Sequence, residues 1–382
     1  MIYRKIEQGD SSGFTNRIIA AVCSIMDGIA TNSKAVVLDN YINDVSNNQY
    51  VPISQVIDIA TLNQYLNSKY NIVLIDKSCA RFALLDAFYG TKERKINITD
   101  EIRKSFVRNG GLVISKYTDF NRIGGDPAYG KRKYIYLKYE ISMDLHNPYT
   151  YVIEETYDEV LQNDIVIDFS NAEYEFKFAD LQSIYSDNYR ARIFEDILMK
   201  MEYLSVFQIS AQKTIRRIDR RTKTNVIHLR VEPDAIEHWS RMNNMSPTLF
   251  RRTIENKYIE LIQKYMHKTE TIIILSDSLV NNVVDFLLKN EYNFIIPEKQ
   301  YANRHLNAIV DMLISKTCNN LFIGCYNFNK KNGSTFSYYC QKQMSDSVRK
   351  VMIDIDFILE PEMVYGQLRS ELYESPPCLL SR

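Results

Sequence analysis

The chain has 382 residues, enough for two domains, of which 45% are hydrophobic and 25% are charged. This balance is typical of a globular protein and excludes a disordered or fibrous chain. Because 47 Lys and Arg residues match 47 Asp and Glu residues, the formal net charge is zero, which argues against a large electrostatic surface for nucleic acid or anionic membrane.

The cysteines and histidines give no sign of a metal site or a disulfide framework. The six cysteines show neither a CxxC pair nor zinc-ligand spacing, which favours free buried thiols in a reducing compartment. His146, His238, His267 and His305 likewise form no metal-binding pattern. The polar N-terminus does not resemble a signal peptide, and the longest apolar runs are too short to span a membrane. We therefore expect a soluble, cytoplasmic protein without a membrane span.

In the first half of the chain, a glycine turn leads into the first predicted helix. The turn GFTNR at 13–17 opens a helical pattern, and the run at 35–39 follows as a strand. Such a turn offers backbone N–H groups and the positive end of the helix dipole to an anion, although a plain helix start explains it equally well. Further on, the pattern predicts helices at 56–66, 100–108 and 179–215, and strands at 71–76, 111–116, 133–142, 164–170 and 174–178.

The segment TNVIHLRVEPDAIEHWS at 224–240 carries the strongest chemical signal. Its apolar residues predict a buried strand over about 226–231, which ends where Pro233 follows. His228 and Arg230 would share one face of that strand, with Glu232 and Asp234 just beyond it. A guanidinium, an imidazole and two carboxylates would thus gather at the carboxyl end of one strand, where open α/β sheets bind ligands. The planar donor fork of Arg230 suits a diphosphate.

After this segment, strands and helices alternate regularly. The pattern predicts helices at 246–266, 280–289, 304–316 and 334–344, and strands at 271–275, 292–296 and 321–324. Strands that alternate with helices of this length indicate βαβ units and a parallel sheet. We therefore predict an α/β protein with two Rossmann-like halves and a cleft between them.

Three turns at predicted strand ends in the second half carry polar groups. They lie at 230–234, 276–278 and 333–337, and the last places hydroxyls and free N–H groups at a helix N-terminus, which suits a phosphate. Each turn alone is more often a helix cap than a ligand site. Three on one edge of a sheet favour a binding site.

Two other features have weaker functional interpretations. Asp354 and Asp356 match the DxD pattern that holds a divalent metal in some glycosyltransferases, but two aspartates on the solvent face of an alternating strand explain the spacing better. The basic cluster of Arg216, Arg217, Arg220 and Arg221 is better explained as a solvated helix end than as a nucleic-acid site.

Four patches in this order resemble the GDP-fucose-dependent O-fucosyltransferases, especially the plant-type branch. GFTNR at 13–17 is similar to the family's G-x-x-N-[RQ] turn, and PISQVID at 52–58 is similar to its PLSxxID segment. HLRVEPD at 228–234 resembles the H-L-R-x-E-x-D signature, and residues 311–337 resemble the final D…S…FIG…S-[ST]-F-S block, here with an insert at 327–332. The resemblance implies a GT-B architecture, with two Rossmann-like domains that face each other across a central cleft.

The resemblance also implies roles for individual residues. Arg230 would bind the β-phosphate and neutralise the leaving diphosphate, and Asn16 would reach the sugar or phosphate from the other domain. Glu232 would orient Arg230 or act as the base, with orientation preferred. In one branch the residue before the Gly-Phe pair is a carboxylate base, and Ser12 stands there in this chain. The remaining donor-binding residues implied by the resemblance are Gly13, Phe14, Arg17, His228, Asp234, Asp311, Ser334, Thr335, Phe336 and Ser337.

Together these features predict an inverting glycosyltransferase that transfers L-fucose from GDP-fucose to a hydroxyl of a glycan or protein acceptor. Because a guanidinium would serve the phosphate, we expect no metal ion and no cofactor, and no nucleic-acid partner. The predicted organisation is an acceptor-side domain at 1–205, a nucleotide-sugar-binding domain at 206–345, and a C-terminal segment at 346–382 that packs back on the first domain. The alternatives are a rhamnose-type donor on the same fold, or a nucleotide-sugar-binding protein without catalytic activity.

Overall fold

The computed structural model describes residues 2–3, 13–38, 41–44, 49–108, 110–143, 149–167, 184–219, 221–327, 332–355 and 363–365. These residues form a mixed α/β fold that contains several separate sheets. The predictions that concern Ser12, Asp39, residues 174–178, Arg220 and Asp356 lie outside the described residues.

The first part of the chain builds a small parallel sheet with two helices. Its elements are β1 (Ile2–Tyr3), α1 (Phe14–Ala30), β2 (Ala35–Leu38), β3 (Tyr41–Asp44), β4 (Gln49–Pro52), α2 (Ile59–Tyr70) and β5 (Val73–Asp76). Strands β1, β2 and β5 pair in parallel in that order, and β3 and β4 form a separate antiparallel pair. Helix α2 begins three residues later than predicted because the Asp58 carboxylate accepts from the Thr61 backbone N–H and so caps the helix there.

An antiparallel region follows, which the sequence pattern predicted only in part. Its elements are β6 (Ala80–Gly90), β7 (Lys95–Asn97), α3 (Thr99–Phe106), β8 (Val107–Arg108), β9 (Gly111–Ile114), α4 (Phe120–Gly124), β10 (Tyr134–Met143), β11 (Tyr149–Asp158) and β12 (Ile165–Ile167). The sheet orders are β11-β10-β6-β7 and β12-β9-β8. Strand β6 escaped prediction because the β10 pairing skips Leu85, and this bulge breaks the alternation that reveals a strand. The first half is therefore Rossmann-like only in its β1-β2-β5 portion.

Two helices lead to the second half, which is a regular α/β unit. These helices are α5 (Asn188–Lys200) and α6 (Ser205–Ile215), where the sequence had predicted one continuous helical stretch. The elements that follow are β13 (Thr224–His228), α7 (Pro233–Met242), α8 (Pro247–Tyr265), β14 (Thr271–Leu275), α9 (Asn282–Lys289), β15 (Phe294–Ile295), α10 (Arg304–Ser315), β16 (Leu321–Gly324), β17 (Tyr326–Asn327), β18 (Asn332–Gly333), α11 (Thr335–Lys342), β19 (Arg349–Met352) and β20 (Met363–Tyr365).

The predicted parallel sheet is present in this second half. Its order is β15-β14-β13-β16-β19-β20, with parallel pairing throughout except for β20 at one edge. Strands β13 and β14 are buried along their whole length, as expected for a parallel sheet covered on both faces. The described strands of the C-terminal segment, β19 and β20, extend this sheet, and β19 pairs in parallel with β16. The predicted return of the segment at 346–382 to the first domain stays a prediction.

The hydrophobic core is continuous between the two halves. One large cluster includes Phe14, Ile19, Tyr139, Phe322 and Met352, and a smaller one around Trp239 lies within the second half. The described cysteines are free thiols, and all of them except the half-buried Cys79 are fully covered.

Candidate functional site

The end of β13 carries a guanidinium that is held by two carboxylates. The strand ends at His228, so Arg230 lies in the loop beyond it rather than on the predicted strand face. Its Nη1 is 2.8 Å from Glu232 Oε2 and its Nη2 is 3.0 Å from Asp234 Oδ2. Burial lowers the pKa of Arg230, but the two carboxylates raise it, and the net shift is upward. A permanent cation is thereby fixed at the carboxyl end of the central strand.

Glu232 is buried between this guanidinium and the loop after β14. Its Oε1 accepts from the Asp277 backbone N–H at 3.2 Å and from the Ser276 hydroxyl at 3.4 Å. Both carboxylate oxygens are therefore engaged, one of them by Arg230. Asp234, in contrast, is 52% exposed at its side chain. Burial raises the pKa of Asp234, but Arg230 lowers it further, so the net shift is downward. This arrangement fits an orienting role for Glu232.

His228 connects the end of β13 to the start of α11. Its Nδ1 is hydrogen-bonded to the Ser337 hydroxyl at 2.6 Å, and its ring centroid lies 4.7 Å from that of Phe336. Burial, reinforced by the positive charges of Arg230 and Lys299, lowers the pKa of His228 to about 3. Since the Cys325 backbone N–H also donates to Ser337 Oγ, the hydroxyl hydrogen is free to point at a neutral Nδ1.

Tyr258, on α8, holds the backbone of the same strand end. Its hydroxyl donates to the His228 carbonyl at 2.8 Å and accepts from the Arg230 N–H at 3.3 Å. Sequence reasoning missed this residue because a fully buried tyrosine at helical spacing has the pattern of an ordinary core residue.

The turn that precedes α11 is shaped like an anion cradle. Ser334 is the N-cap, and its hydroxyl accepts from the Ser337 N–H at 3.5 Å. Gly333 has φ +112°, and a Cβ there would lie 2.8 Å from Tyr326 Cα and 2.9 Å from the Cys325 carbonyl oxygen. Only glycine fits this position, which lets the chain turn sharply into the positive end of the helix dipole.

Helix α1 meets α11 at their N-terminal ends. The Thr335 hydroxyl donates to Asn16 Oδ1 at 2.7 Å and lies 2.9 Å from the Thr15 hydroxyl. The resemblance-implied residues Asn16 and Thr335 are thus in direct contact although 319 positions separate them. The other members of the turn differ in exposure: Gly13 is the half-buried N-cap, whereas Phe14 and Arg17 are buried.

Asp311 forms part of the same charged network through a lysine that the sequence analysis did not select. Lys299 Nζ lies 2.8 Å from Asp311 Oδ2 and 3.1 Å from Asp277 Oδ1. Asp277 in turn donates its backbone N–H to Glu232. Lys299 follows β15, so the rule that drew attention to the other strand ends could have found it.

The two weaker sequence features do not join this site. Asp354 was expected on the solvent face of a strand, and this is wrong: it follows β19, is buried, and accepts a hydrogen bond from Asn327 Nδ2. Within the described part of the chain, no three His, Cys, Asp or Glu side chains are grouped to hold a metal ion. Of the basic cluster, Arg221 pairs with Asp219 at 3.0 Å on the surface.

Comparison with known proteins gives limited similarity. No protein-family model matches the sequence, and the search of curated proteins finds no match. Among solved structures, NodZ α-1,6-fucosyltransferase soaked with GDP-fucose aligns with TM-score 0.31 and 12% identity over 47% of this chain and 53% of that one. The chain therefore spans about half the length of NodZ. POFUT1 in complex with GDP-fucose aligns with TM-score 0.43 and 12% identity over 89% of this chain and 93% of that one.

A third structure, the fucosyltransferase NodZ from Bradyrhizobium, gives TM-score 0.29 and 11% identity over 47% of this chain and 52% of that one. Similarity of this degree assigns neither a family nor an activity to the chain. In the part of the chain that the structure describes, every helix is too short or too polar to cross a bilayer.

Proposed function

We propose that this chain is an inverting, metal-independent GT-B glycosyltransferase that transfers L-fucose from GDP-fucose to a hydroxyl of a glycan or protein acceptor. The observation that carries the proposal is the convergence of four distant segments on one network. His228 is hydrogen-bonded to Ser337 in the turn at 333–337, called here the phosphate-type turn, and Thr335 of the same turn is hydrogen-bonded to Asn16. Glu232 accepts from Arg230 and from the Asp277 backbone N–H. Lys299 in turn pairs with Asp277 and Asp311. The carboxyl ends of the strands in an open α/β sheet are where such folds bind ligands, which supports a shared binding role.

In this proposal, Arg230 and the N-terminus of α11 bind the diphosphate from two sides. The negative charge that develops as the glycosidic bond breaks would meet a cation and the positive end of a helix dipole that are already in place. The two terminal nitrogens of Arg230, Nη1 and Nη2, are each paired with a carboxylate. A phosphate would therefore take the place of half-exposed Asp234, while buried Glu232 keeps Arg230 in position. Arg230 then supplies charge that a metal ion supplies elsewhere.

The halves at 1–205 and 206–345 would act as acceptor-side and donor-side domains that face each other across a cleft. The donor side is the parallel sheet whose strand ends carry the site, and Asn16 contributes from the acceptor side. The choice of GDP-fucose as donor comes from the motif resemblance of residues 13–17, 52–58, 228–234 and 311–337.

A nucleotide panel tests the proposal directly. GDP and GDP-fucose should raise the thermal midpoint, since a ligand at about 100 times its Kd adds about 2.7 kcal/mol to the free energy of unfolding. EDTA should leave both binding and transfer unchanged. Loss of transfer on chelation would overturn the metal-free mechanism, preference for a rhamnose nucleotide would change the donor, and GDP-fucose binding without transfer to any acceptor or to water would favour a non-catalytic binding protein.

Substitution of Arg230 is the sharpest test of the site. Arg230→Ala should lower kcat by about 100-fold or more, and Arg230→Lys should restore little because an ammonium cannot reproduce the parallel bonds of the guanidinium. The matched control is Arg241→Ala, which removes an exposed i,i+4 ion pair with Glu237 on α7, the helix that follows the Arg230 loop. This substitution should not change kcat. Near-normal kcat in Arg230→Ala would show that this residue is only structural.

A further inference from the structure

Lys299 is held in a fixed position at the edge of the proposed donor site. Its ammonium bridges two carboxylates, Asp311 on α10 and Asp277 after β14, and its side chain is only 29% exposed. An exposed surface lysine is usually free to rotate, whereas this one is held by two ion pairs, one to buried Asp311 and one to Asp277 in the loop after β14. Burial lowers the pKa of Lys299, but Asp311 and Asp277 raise it, and the net shift is upward. The side chain is therefore a permanent cation at this position.

Asp311 is a buried carboxylate with unused acceptor capacity. Only 6% of the residue is exposed, and within the described residues the hydrogen bond that its side chain accepts comes from Lys299 to Oδ2. An ionised carboxylate offers about four lone-pair directions, so Oδ1 can accept further N–H or O–H donors. Burial raises the pKa of Asp311 to about 6 although Lys299 opposes the shift.

The groups around Asp311 explain why this lysine matters. Asp277 from the loop after β14 and Glu232 from the loop after β13 are negative and disfavour a second negative charge. On α11, the uncharged Cys340 thiol faces the same region. Lys299, from the segment that precedes α10, is the group among these that favours the charged carboxylate. Without it, a carboxyl in this environment would hold its proton to higher pH.

We propose that Lys299 is a positioning residue that keeps Asp311 as a carboxylate. The family resemblance implies that Asp311 accepts hydrogen bonds from guanine or ribose, and Lys299 would keep it in the charged form that does so. This inference rests on the proposed function, which places a nucleotide in the site. It assigns Lys299 a role in recognition through Asp311 and not through contact with the phosphates.

The experiment measures Kd for GDP and for guanosine between pH 5.5 and 8.5 in the unaltered protein and in Lys299→Met, Lys299→Arg and Asp311→Asn. With Lys299→Met, both ligands should bind more weakly at low pH than at high pH, and the pH at which affinity falls should rise by about one unit or more. A rise of one unit from about 6 increases Kd about threefold at pH 6.5 and approaches tenfold only below both pKa values. Lys299→Arg should restore the normal profile, and Asp311→Asn should remove this pH dependence. The phosphate of GDP titrates in all four proteins and cancels in ratios between them.

The outcomes separate the roles of Lys299. A loss of GDP affinity that is equal at every pH, with guanosine binding unchanged, would overturn the inference and make Lys299 a phosphate contact. If Lys299→Met weakens the binding of both GDP and guanosine and Lys299→Arg does not restore it, the inference is also overturned, because the shape of the lysine and not its charge then matters.

A measurement without ligand distinguishes failure of this inference from failure of the proposed function. Because the pKa of folded Asp311 is raised to about 6, the folded state binds a proton that the unfolded state releases, so stability from this group falls as pH rises from about 4 to 6. Lys299→Met should extend that fall to higher pH, and the double variant with Asp311→Asn should lack it. If Lys299→Met leaves the pH range of this fall in stability unchanged, the electrostatic coupling of Lys299 to Asp311 is overturned even if GDP binds. If the pH range shifts but GDP does not bind, only the role in nucleotide binding is overturned.

Discussion

At the scale of single residues, the most informative feature is that Arg230 is already paired. Two carboxylates fix the guanidinium before any ligand arrives, and they differ in environment. Glu232 is buried and bound by Ser276 and Asp277, so it is a permanent part of the support. Asp234 is half-exposed and can be displaced at little cost. A preorganised cation with one removable partner is suited to bind a diphosphate.

This geometry leads to a prediction for Glu232. Glu232→Gln should keep kcat within about tenfold of normal, because the amide oxygen can still accept hydrogen bonds on one side, while loss of the negative charge loosens Arg230. The measurement is kcat against pH, with the affinity for GDP as the control. If Glu232 is the general base, the substitution would instead lower kcat by about 10²–10⁴-fold and remove the acidic limb of the profile.

At the scale of elements, the start of α11 combines a cap, a glycine turn and contacts with α1. The β17–β18 hairpin brings the chain to Gly333, whose positive φ directs Ser334 into the cap position. Ser337 then reaches back to His228, which joins the helix to the end of β13. The phosphate-type turn and the Arg230 loop are therefore mechanically coupled, and a distortion of one should affect the other.

The turn can be tested by adding one methyl group. Gly333→Ala should weaken GDP binding at least tenfold and lower stability, because the new Cβ meets backbone atoms of Tyr326 and Cys325 in addition to the strain of positive φ. The control is Gly130→Ala, where φ is +72° but nothing lies within 4 Å, so only the strain of about 1–2 kcal/mol applies. Equal effects of the two substitutions on GDP affinity would show that the turn is not part of the binding site.

At the scale of the whole molecule, α11 connects the two halves of the chain. Lys342 lies 2.6 Å from Glu195 on α5, and the Tyr339 hydroxyl accepts from Tyr203 and donates to the Leu198 carbonyl. The large core cluster continues across the same boundary. The helix that carries the phosphate-type turn is therefore packed against both halves.

This packing predicts that the chain unfolds as one cooperative unit, although proteins of this size often do not. The single tryptophan, Trp239, is buried in the smaller core cluster of the second half and reports on that half alone. Guanidinium unfolding followed by Trp239 fluorescence and by far-UV circular dichroism should give one coincident transition. A fluorescence transition that separates from the circular dichroism signal would show that the halves unfold independently.

The sequence by itself was sufficient for the local features of this protein. Helices α1, α8, α9, α10 and α11 and strands β14 and β16 were predicted close to their observed bounds, because periodic apolar residues and side-chain caps act over a few neighbours. The polar residues at the strand ends were also identified in advance, since the carboxyl ends of parallel strands meet at one sheet edge.

Only the tertiary structure decided what depends on distant partners. The bulged pairing of β6 with β10, the addition of β19 and β20 to the second sheet, and the end of β13 at His228 follow from pairings between remote segments. The same holds for Lys299, which the sequence shows as one of many charged residues. It becomes part of the candidate site because the fold brings it to Asp311, where a buried carboxylate needs a cation within contact distance.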